Sequence, residues 1–241
     1  MFSDVRQAVI GQIAAAKIRP QPFPHIYIQN IFPPDFYAEI ERHRLPENLY
    51  QTMLSTGRVT GDAYRARLCI LDEHLAGALP DSRLEFWRDL FATFRTPEFT
   101  SAWANLFSAE ITKHAAEEFP NRQGLRLSSE CMLMRDLPAY ALGPHTDSPL
   151  KVVSALFYLP QDSTRSDLGT SLYQPRRAGF SCRGGPHHAF KDFIRVRTMR
   201  YIPNSLFAFP KTVRSFHGVE QITDATVRRD LLLYDIKAQA A

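Results

Sequence analysis

A histidine and an aspartate separated by one residue, His145 and Asp147 in the sequence GPHTD, form a candidate metal-binding pair. In an extended segment the side chains at i and i+2 project to the same side, so one strand end can offer an imidazole and a carboxylate together. A third ligand must come from elsewhere in the chain. His217 is the candidate, because it follows the apolar run 206–209, which can form a strand that returns beside the first.

Two histidines and one carboxylate on one face of an octahedral metal leave the opposite positions open. This arrangement suits Fe(II) that must bind both a cosubstrate and O₂. An HxD pair alone is a short motif, and unrelated surface or hydrogen-bonded histidines explain it equally well unless its context agrees. The surrounding sequence therefore has to decide between these interpretations.

Three further segments lie between the HxD pair and His217: ALFYL at 155–159, LGTSL at 168–172 and SLFAF at 205–209. Together with the HxD pair, the distal His217 and an arginine shortly after it, they resemble the iron- and 2-oxoglutarate-dependent oxygenases, particularly the prolyl-hydroxylase-like superfamily. The resemblance extends over roughly residues 125 to 236.

This resemblance implies a double-stranded β-helix, also called a cupin-like jelly-roll, that binds Fe(II) through His145, Asp147 and His217 and uses 2-oxoglutarate and O₂. The implied activity is a dioxygenase that hydroxylates an unactivated C–H bond and releases succinate and CO₂. Asp147 favours hydroxylation over halogenation, since halogenating relatives replace this carboxylate with a small residue. Desaturation and ring formation stay open, and the substrate is a small molecule or is linked to a carrier or peptide.

The far carboxylate of 2-oxoglutarate needs a buried cation, for which an arginine fork is well suited. Arg228 follows His217 at a spacing similar to that of the family's arginine, and we favour it as the anchor. Arg229 is the competitor, because consecutive strand residues point to opposite faces and only one of the two can face the pocket. Asp230 replaces the serine of the family's Arg-x-Ser; it must either orient the arginine or turn away, because it would repel the cosubstrate.

The segment from Val152 to Leu159 supplies two more candidates. Ser154 and Tyr158 share one face of this predicted strand. If that face is inward, their hydroxyls can donate hydrogen bonds to 2-oxoglutarate, as the equivalent residues do in similar enzymes.

The periodicity of apolar residues predicts helices in the first half of the chain and strands in the second half, which indicates an α+β fold. Helical patterns cover 3–18, 34–43 and, as two helices, 81–119, the second of which starts after Thr100 or Ser101. Six strands are predicted at Leu125–Met134, Val152–Leu159, Ser171–Gln174, Phe193–Ile202, Leu206–Phe209 and Asp230–Ile236. We expect one domain over 1–241, in which residues 1–124 form a mainly helical support layer for a jelly-roll catalytic core at 125–236.

Composition is that of an ordinary globular protein, with 44% hydrophobic and 22% charged residues and a net charge of +4. The basic residues are spread along the chain, so no nucleic-acid partner is expected. Three widely spaced cysteines and the absence of an apolar leader or span predict a cytoplasmic protein without a membrane contact. Oligomeric state cannot be read from the sequence.

Two rival functions remain open at this point. One is a cupin-like metalloenzyme that does not use 2-oxoglutarate, which would lack a buried arginine in its pocket. The other is a non-catalytic ligand-binding jelly-roll, in which the histidines serve hydrogen bonding.

Overall fold

The computed structural model describes residues 1–76, 81–121 and 125–239, so the predicted boundary at Gly124 lies outside the described residues. The helices are α1 (Phe2–Ala14), α2 (Pro34–Arg42), α3 (Asp72–Ala76), α4 (Ser82–Phe94), α5 (Pro97–Leu106) and α6 (Ser108–Glu118). The strands are β1 (Ile26–Gln29), β2 (Gln51–Thr52), β3 (Arg67–Leu71), β4 (Leu127–Asp136), β5 (Leu142–His145), β6 (Lys151–Tyr158), β7 (Ser171–Pro175), β8 (Phe193–Thr198), β9 (Ser205–Pro210), β10 (His217–Val219) and β11 (Arg229–Ala238).

The strands form two antiparallel sheets. The larger has seven strands in the order β1-β9-β6-β11-β4-β3-β2, and the smaller has four in the order β5-β10-β7-β8. The mixture of helices with antiparallel sheets agrees with the predicted α+β class and is consistent with a jelly-roll. All six predicted strands are present, and β1, β2 and β3 from the first half of the chain extend the larger sheet.

The region 81–119 forms three helices where two are predicted. The second helix begins at Pro97, not after Thr100 or Ser101, because proline is well suited to the first helical position and the Thr96 hydroxyl accepts a hydrogen bond from the Phe99 N–H. It ends at Leu106, and α6 begins at Ser108. The large aromatic residues of this region belong to the core: Trp87, Phe91, Phe94, Trp103 and Phe107 are all buried.

The larger sheet separates two apolar cores. On its outer face Leu232 and Tyr234 of β11 belong to a cluster with the aromatic residues of the helices. On its inner face Leu231 belongs to a second cluster, between the two sheets, which includes Met132 and Met134. The helical layer therefore covers one face of the sheet and leaves the other face for a site. No helix in the described ranges is long and apolar enough to cross a bilayer.

Candidate metal centre and cavity

The three predicted ligands converge at the edge where β5 meets β10. His145 is the last residue of β5 and His217 the first of β10, and the two are directly paired across the antiparallel ladder. Asp147 follows two residues beyond His145. All three side chains are buried, with 8%, 9% and 8% exposure for His145, Asp147 and His217.

One ligand atom from each of these residues lies within 4.8 Å of the others, which is close enough for one metal ion. His217 Nε2 is 3.9 Å from Asp147 Oδ2, and the two imidazole centroids are 4.3 Å apart. In the described parts of the chain this is the group of histidine, cysteine and acidic residues that could hold a metal.

Both imidazoles are oriented by backbone carbonyls. His145 Nδ1 lies 3.0 Å from the Gly143 oxygen, and His217 Nδ1 lies 3.0 Å from the Ser215 oxygen. Because a carbonyl can only accept, each Nδ1 carries the proton, and each Nε2 keeps a free lone pair. Metal-binding histidines are commonly fixed in this way. The donor set therefore fits a divalent transition metal such as Fe(II).

Electrostatics keep the ligands in the protonation states that a metal requires. Burial, followed by the neighbouring His217, holds the pKa of His145 well below its usual range, and burial also lowers the pKa of His217. Burial by itself would raise the pKa of Asp147, but Lys151 and the histidines outweigh it, so this pKa is lowered. At neutral pH the site offers two neutral imidazoles and one carboxylate.

Both carboxylate oxygens of Asp147 have a partner. Ser154 Oγ donates to Oδ2 at 2.9 Å, and Lys151 Nζ lies 3.4 Å from Oδ1. The hydroxyl of Ser154, predicted to contact 2-oxoglutarate, is thus directed at the carboxylate ligand instead. Ser154 lies on the inner face of β6 and lines the same cavity as the triad.

A cavity of about 750 Å³ opens beside the triad, between the two sheets. Its walls combine the ligands with apolar residues of the larger sheet, including Met132, Met134, Leu156 and Leu233. This volume is within the range of small-molecule binding sites.

Solved structures of similar fold are known, although no protein-family model and no curated protein matches the sequence. A prolyl-4-hydroxylase of Pseudomonas putida is 15% identical, with 97% of this chain and 99% of that chain covered and a TM-score of 0.52. A prolyl hydroxylase of Trichoplax adhaerens, solved with a peptide fragment of the hypoxia inducible factor oxygen degradation domain, is 14% identical. The alignment covers 98% of this chain and 90% of that chain, with a TM-score of 0.51. The alpha ketoglutarate dependent epimerase SnoN of nogalamycin biosynthesis is 11% identical, with 96% of this chain and 84% of that chain covered and a TM-score of 0.53.

The chain has the fold of the 2-oxoglutarate- and iron-dependent oxygenases. The predicted mixture of helices and antiparallel sheets is therefore confirmed, and it is consistent with the jelly-roll that the sequence resemblance implies. At these identities the likeness concerns the fold, and the chemistry has to be argued from the residues of this chain.

Within this fold, the structure places Arg229, and not Arg228, on the side of the cavity. Arg228 points outward: its side chain is 38% exposed, and Nε lies 3.1 Å from Glu47 Oε2. Arg229, the competitor, is fully buried and lines the cavity with the triad. The reason is strand parity, since Arg229 shares the inner face of β11 with Leu231 and Leu233 while Asp230 faces away. Asp230 accepts from Arg135 Nε at 2.7 Å.

Tyr158, the other candidate, is fully buried in contact with Thr170 and does not line the cavity. Its hydroxyl donates to Thr170 Oγ1 at 2.9 Å and accepts from the Thr170 N–H at 3.0 Å. Thr170 in turn lies 3.2 Å from Arg229 Nη2. Tyr158 therefore supports the threonine beside the arginine.

Sequence reasoning missed the partners that keep Arg229 buried. Asp136 Oδ2 accepts from Arg229 Nη1 at 2.7 Å, and the same carboxylate binds Arg67 Nε and Nη2 at 2.6 and 2.9 Å. Arg67 also lines the cavity. No local sequence signal connects β3 with β4 and β11, so this trio could not be found before the sheet order was known.

His187 lies in a loop and lines the cavity, with its ring 4.7 Å from that of His145. Its Nε2 is 3.1 Å from the Tyr64 hydroxyl. The pair forms part of the wall around the metal centre.

Proposed function

We propose that this protein is an Fe(II)- and 2-oxoglutarate-dependent dioxygenase. One observation carries the proposal: the buried His145, Asp147 and His217 share a single cavity with the buried Arg229. We interpret the two facing sheets as the two halves of a double-stranded β-helix. The likeness of fold to oxygenases supports this interpretation.

In the proposed site His145 Nε2, His217 Nε2 and an Asp147 oxygen hold the iron, and Arg229 holds the far carboxylate of 2-oxoglutarate, with the Thr170 hydroxyl beside it. Bound iron, with 2-oxoglutarate and O₂, supplies the oxidising power for the reaction, which releases succinate and CO₂. The protein supplies orientation and a cavity lined in part by apolar side chains.

Charge balance supports Arg229 as the anion site. Asp136 alone would neutralise Arg229, but this carboxylate is also bound by Arg67, so the buried trio retains one excess positive charge. An anion is therefore needed to balance this end of the cavity. A cupin-like metalloenzyme that does not use 2-oxoglutarate has no such requirement.

For the reaction we propose hydroxylation of an unactivated C–H bond. The carboxylate of Asp147 supports it, because the ligand set has no gap for a halide. The cavity between the sheets has the size for a small molecule or for one side chain of a carrier- or peptide-linked substrate. We propose a cytoplasmic setting, with support from the three cysteines, all free thiols.

The test is an anaerobic titration of the protein with Fe(II) and 2-oxoglutarate. We expect a weak visible metal-to-ligand charge-transfer band that His217→Ala abolishes. His43→Ala removes a histidine that directly follows α2, away from the cavity, and should leave the band unchanged. Metal binding without the band would favour the metalloenzyme that does not use 2-oxoglutarate, and no metal binding would favour the ligand-binding jelly-roll.

A further inference from the structure

Lys151 and the fully buried Asp235 form an ion pair beside the metal-binding carboxylate, to which Lys151 also donates a longer hydrogen bond. We propose that Asp235 is a positioning residue: it binds the Lys151 ammonium, limits the hold of this ammonium on Asp147 and so keeps that carboxylate available to the metal. The inference rests on the proposed metal site and adds two residues to it.

The geometry follows from strand pairing in the larger sheet. Asp235 of β11 is the direct partner of Ser154 of β6, the residue that donates to Asp147. Lys151, at the start of the same β6, lies with Nζ 2.8 Å from Asp235 Oδ2 and 3.4 Å from Asp147 Oδ1. One ammonium is thus shared by two carboxylates, and it is nearer to Asp235.

Asp235 stands where the strand pattern calls for an apolar residue. Leu231 and Leu233 precede it on the inner face of β11, and Asp235 is fully buried in the wall of the cavity. A buried carboxylate is costly unless it is paired, and an apolar pair of similar volume is often as stable. Among the described residues neither Asp235 oxygen accepts a hydrogen bond of good geometry, and the contact of Oδ2 with Lys151 Nζ at 2.8 Å is an ion pair. Stability alone therefore gives a poor account of this side chain.

Lys151 competes with a metal ion for the same carboxylate. Its ammonium carries the same sign of charge as the metal, and it lies within reach of Asp147 Oδ1. Without Asp235, Asp147 would be its remaining carboxylate partner among the residues described. Lys151 would then move onto Asp147, neutralise it and repel the incoming cation. Asp235 prevents this by supplying a closer counter-ion.

The test measures Mn(II) affinity by calorimetry at pH 7 for the full chain and three variants. For Asp235→Asn, which keeps the side-chain shape, we expect about tenfold to hundredfold weaker binding. Lys151→Met removes the competing cation and should bind Mn(II) at least as tightly as the wild type. In the double variant D235N/K151M the affinity should return to within about threefold of the wild type, because the two sites are coupled.

A matched control comes from the Glu130–Lys237 ion pair on the same cavity wall. Glu130→Gln with Lys237→Met removes a lysine–carboxylate pair that does not contact Asp147, so Mn(II) affinity should be unchanged. Unaltered affinity in Asp235→Asn, or a double variant as weak as Asp235→Asn, would overturn the inference. Should Asp235→Asn fail to fold by circular dichroism, Lys151→Met decides, since tenfold weaker binding there contradicts the proposal. If the wild type itself binds no Mn(II), the proposed function fails instead.

Discussion

Arg229 is a buried cation whose charge is only partly compensated. Its guanidinium donates to Asp136, to the Leu168 carbonyl at 2.6 Å and to Thr170, and Asp136 is shared with Arg67. Such a network fixes the direction of the guanidinium, so the residue presents a preformed site to a planar carboxylate. Arg228, next to it in sequence, has none of these contacts.

This difference predicts opposite results for the same substitution at two adjacent positions. Arg229→Lys keeps the charge but loses the planar fork, and we expect the Kd for 2-oxoglutarate to rise about tenfold or more in the Mn(II)-loaded protein. Arg228→Lys, the matched control, should leave the Kd within about twofold, since exposed ion pairs contribute little. Calorimetric titration with 2-oxoglutarate measures both. If the Kd for 2-oxoglutarate rose in Arg228→Lys and stayed normal in Arg229→Lys, Arg228 would be the anchor.

At the scale of elements, the site depends on two very short strands. β5 has four residues and β10 has three, and their pairing sets His145 opposite His217. Close approach makes this possible: a Cβ at Gly218 would lie 2.4 Å from the Leu142 carbonyl oxygen. Glycine at this position is thus a requirement of the metal centre.

Gly218→Ala should therefore damage metal binding more than folding. The added Cβ forces β10 away from β5, and we expect Mn(II) affinity to fall about tenfold or more, with a loss of about 1–3 kcal/mol in the free energy of unfolding. Gly11→Ala in α1 is the control, because its Cβ would meet nothing within 4 Å and alanine favours the helix. Calorimetry and urea denaturation measure the two quantities. Normal metal affinity in Gly218→Ala would show that the close approach does not position the ligands.

These short strands also mark what the sequence could and could not predict. Long strands with an apolar pattern, such as β6, β9 and β11, were predicted close to their observed bounds, as was α2. β5 and β10 were not predicted as strands, because three or four residues are too few for an alternating pattern. The ligands on and beside them were nevertheless recognised by residue type and order. Strand parity shows that Arg228 and Arg229 face opposite ways, but which face is inward depends on the sheet that packs on β11.

At the scale of the whole molecule, the larger sheet has a dry, helix-covered face and a face that holds the site. Helix packing against Tyr234 and Phe157 makes the outer core apolar, whereas the inner side must accommodate His145, Asp147 and His217. The apolar face that packs on the helices thus stabilises the sheet, while ionisable groups are buried on the opposite face. The pH dependence of stability should therefore reflect the site.

The metal-free protein should lose stability as the pH falls below about 6.5, the ordinary pKa of histidine. Burial lowers the pKa of His145 and His217 in the folded state, so over this range the unfolded chain takes up protons that the folded chain does not, and the free energy of unfolding decreases. Each histidine contributes at most about 1.4 kcal/mol per pH unit. Above pH 6.5 both are neutral in either state, and their contribution is constant.

Urea denaturation of the metal-free protein between pH 7.5 and 5.0 measures this slope. His145→Gln with His217→Gln keeps polar side chains of similar size but removes both titrations, so the curve should flatten by the two contributions. Asp235, whose pKa is raised above its ordinary 3.8 by burial, acts in the opposite direction, and it is present in both proteins. If the free energy of unfolding had the same pH dependence in the wild type and in the double variant, the two imidazoles would titrate alike in the folded and unfolded chain. Burial would then not hold them in the neutral form that the proposed metal site requires.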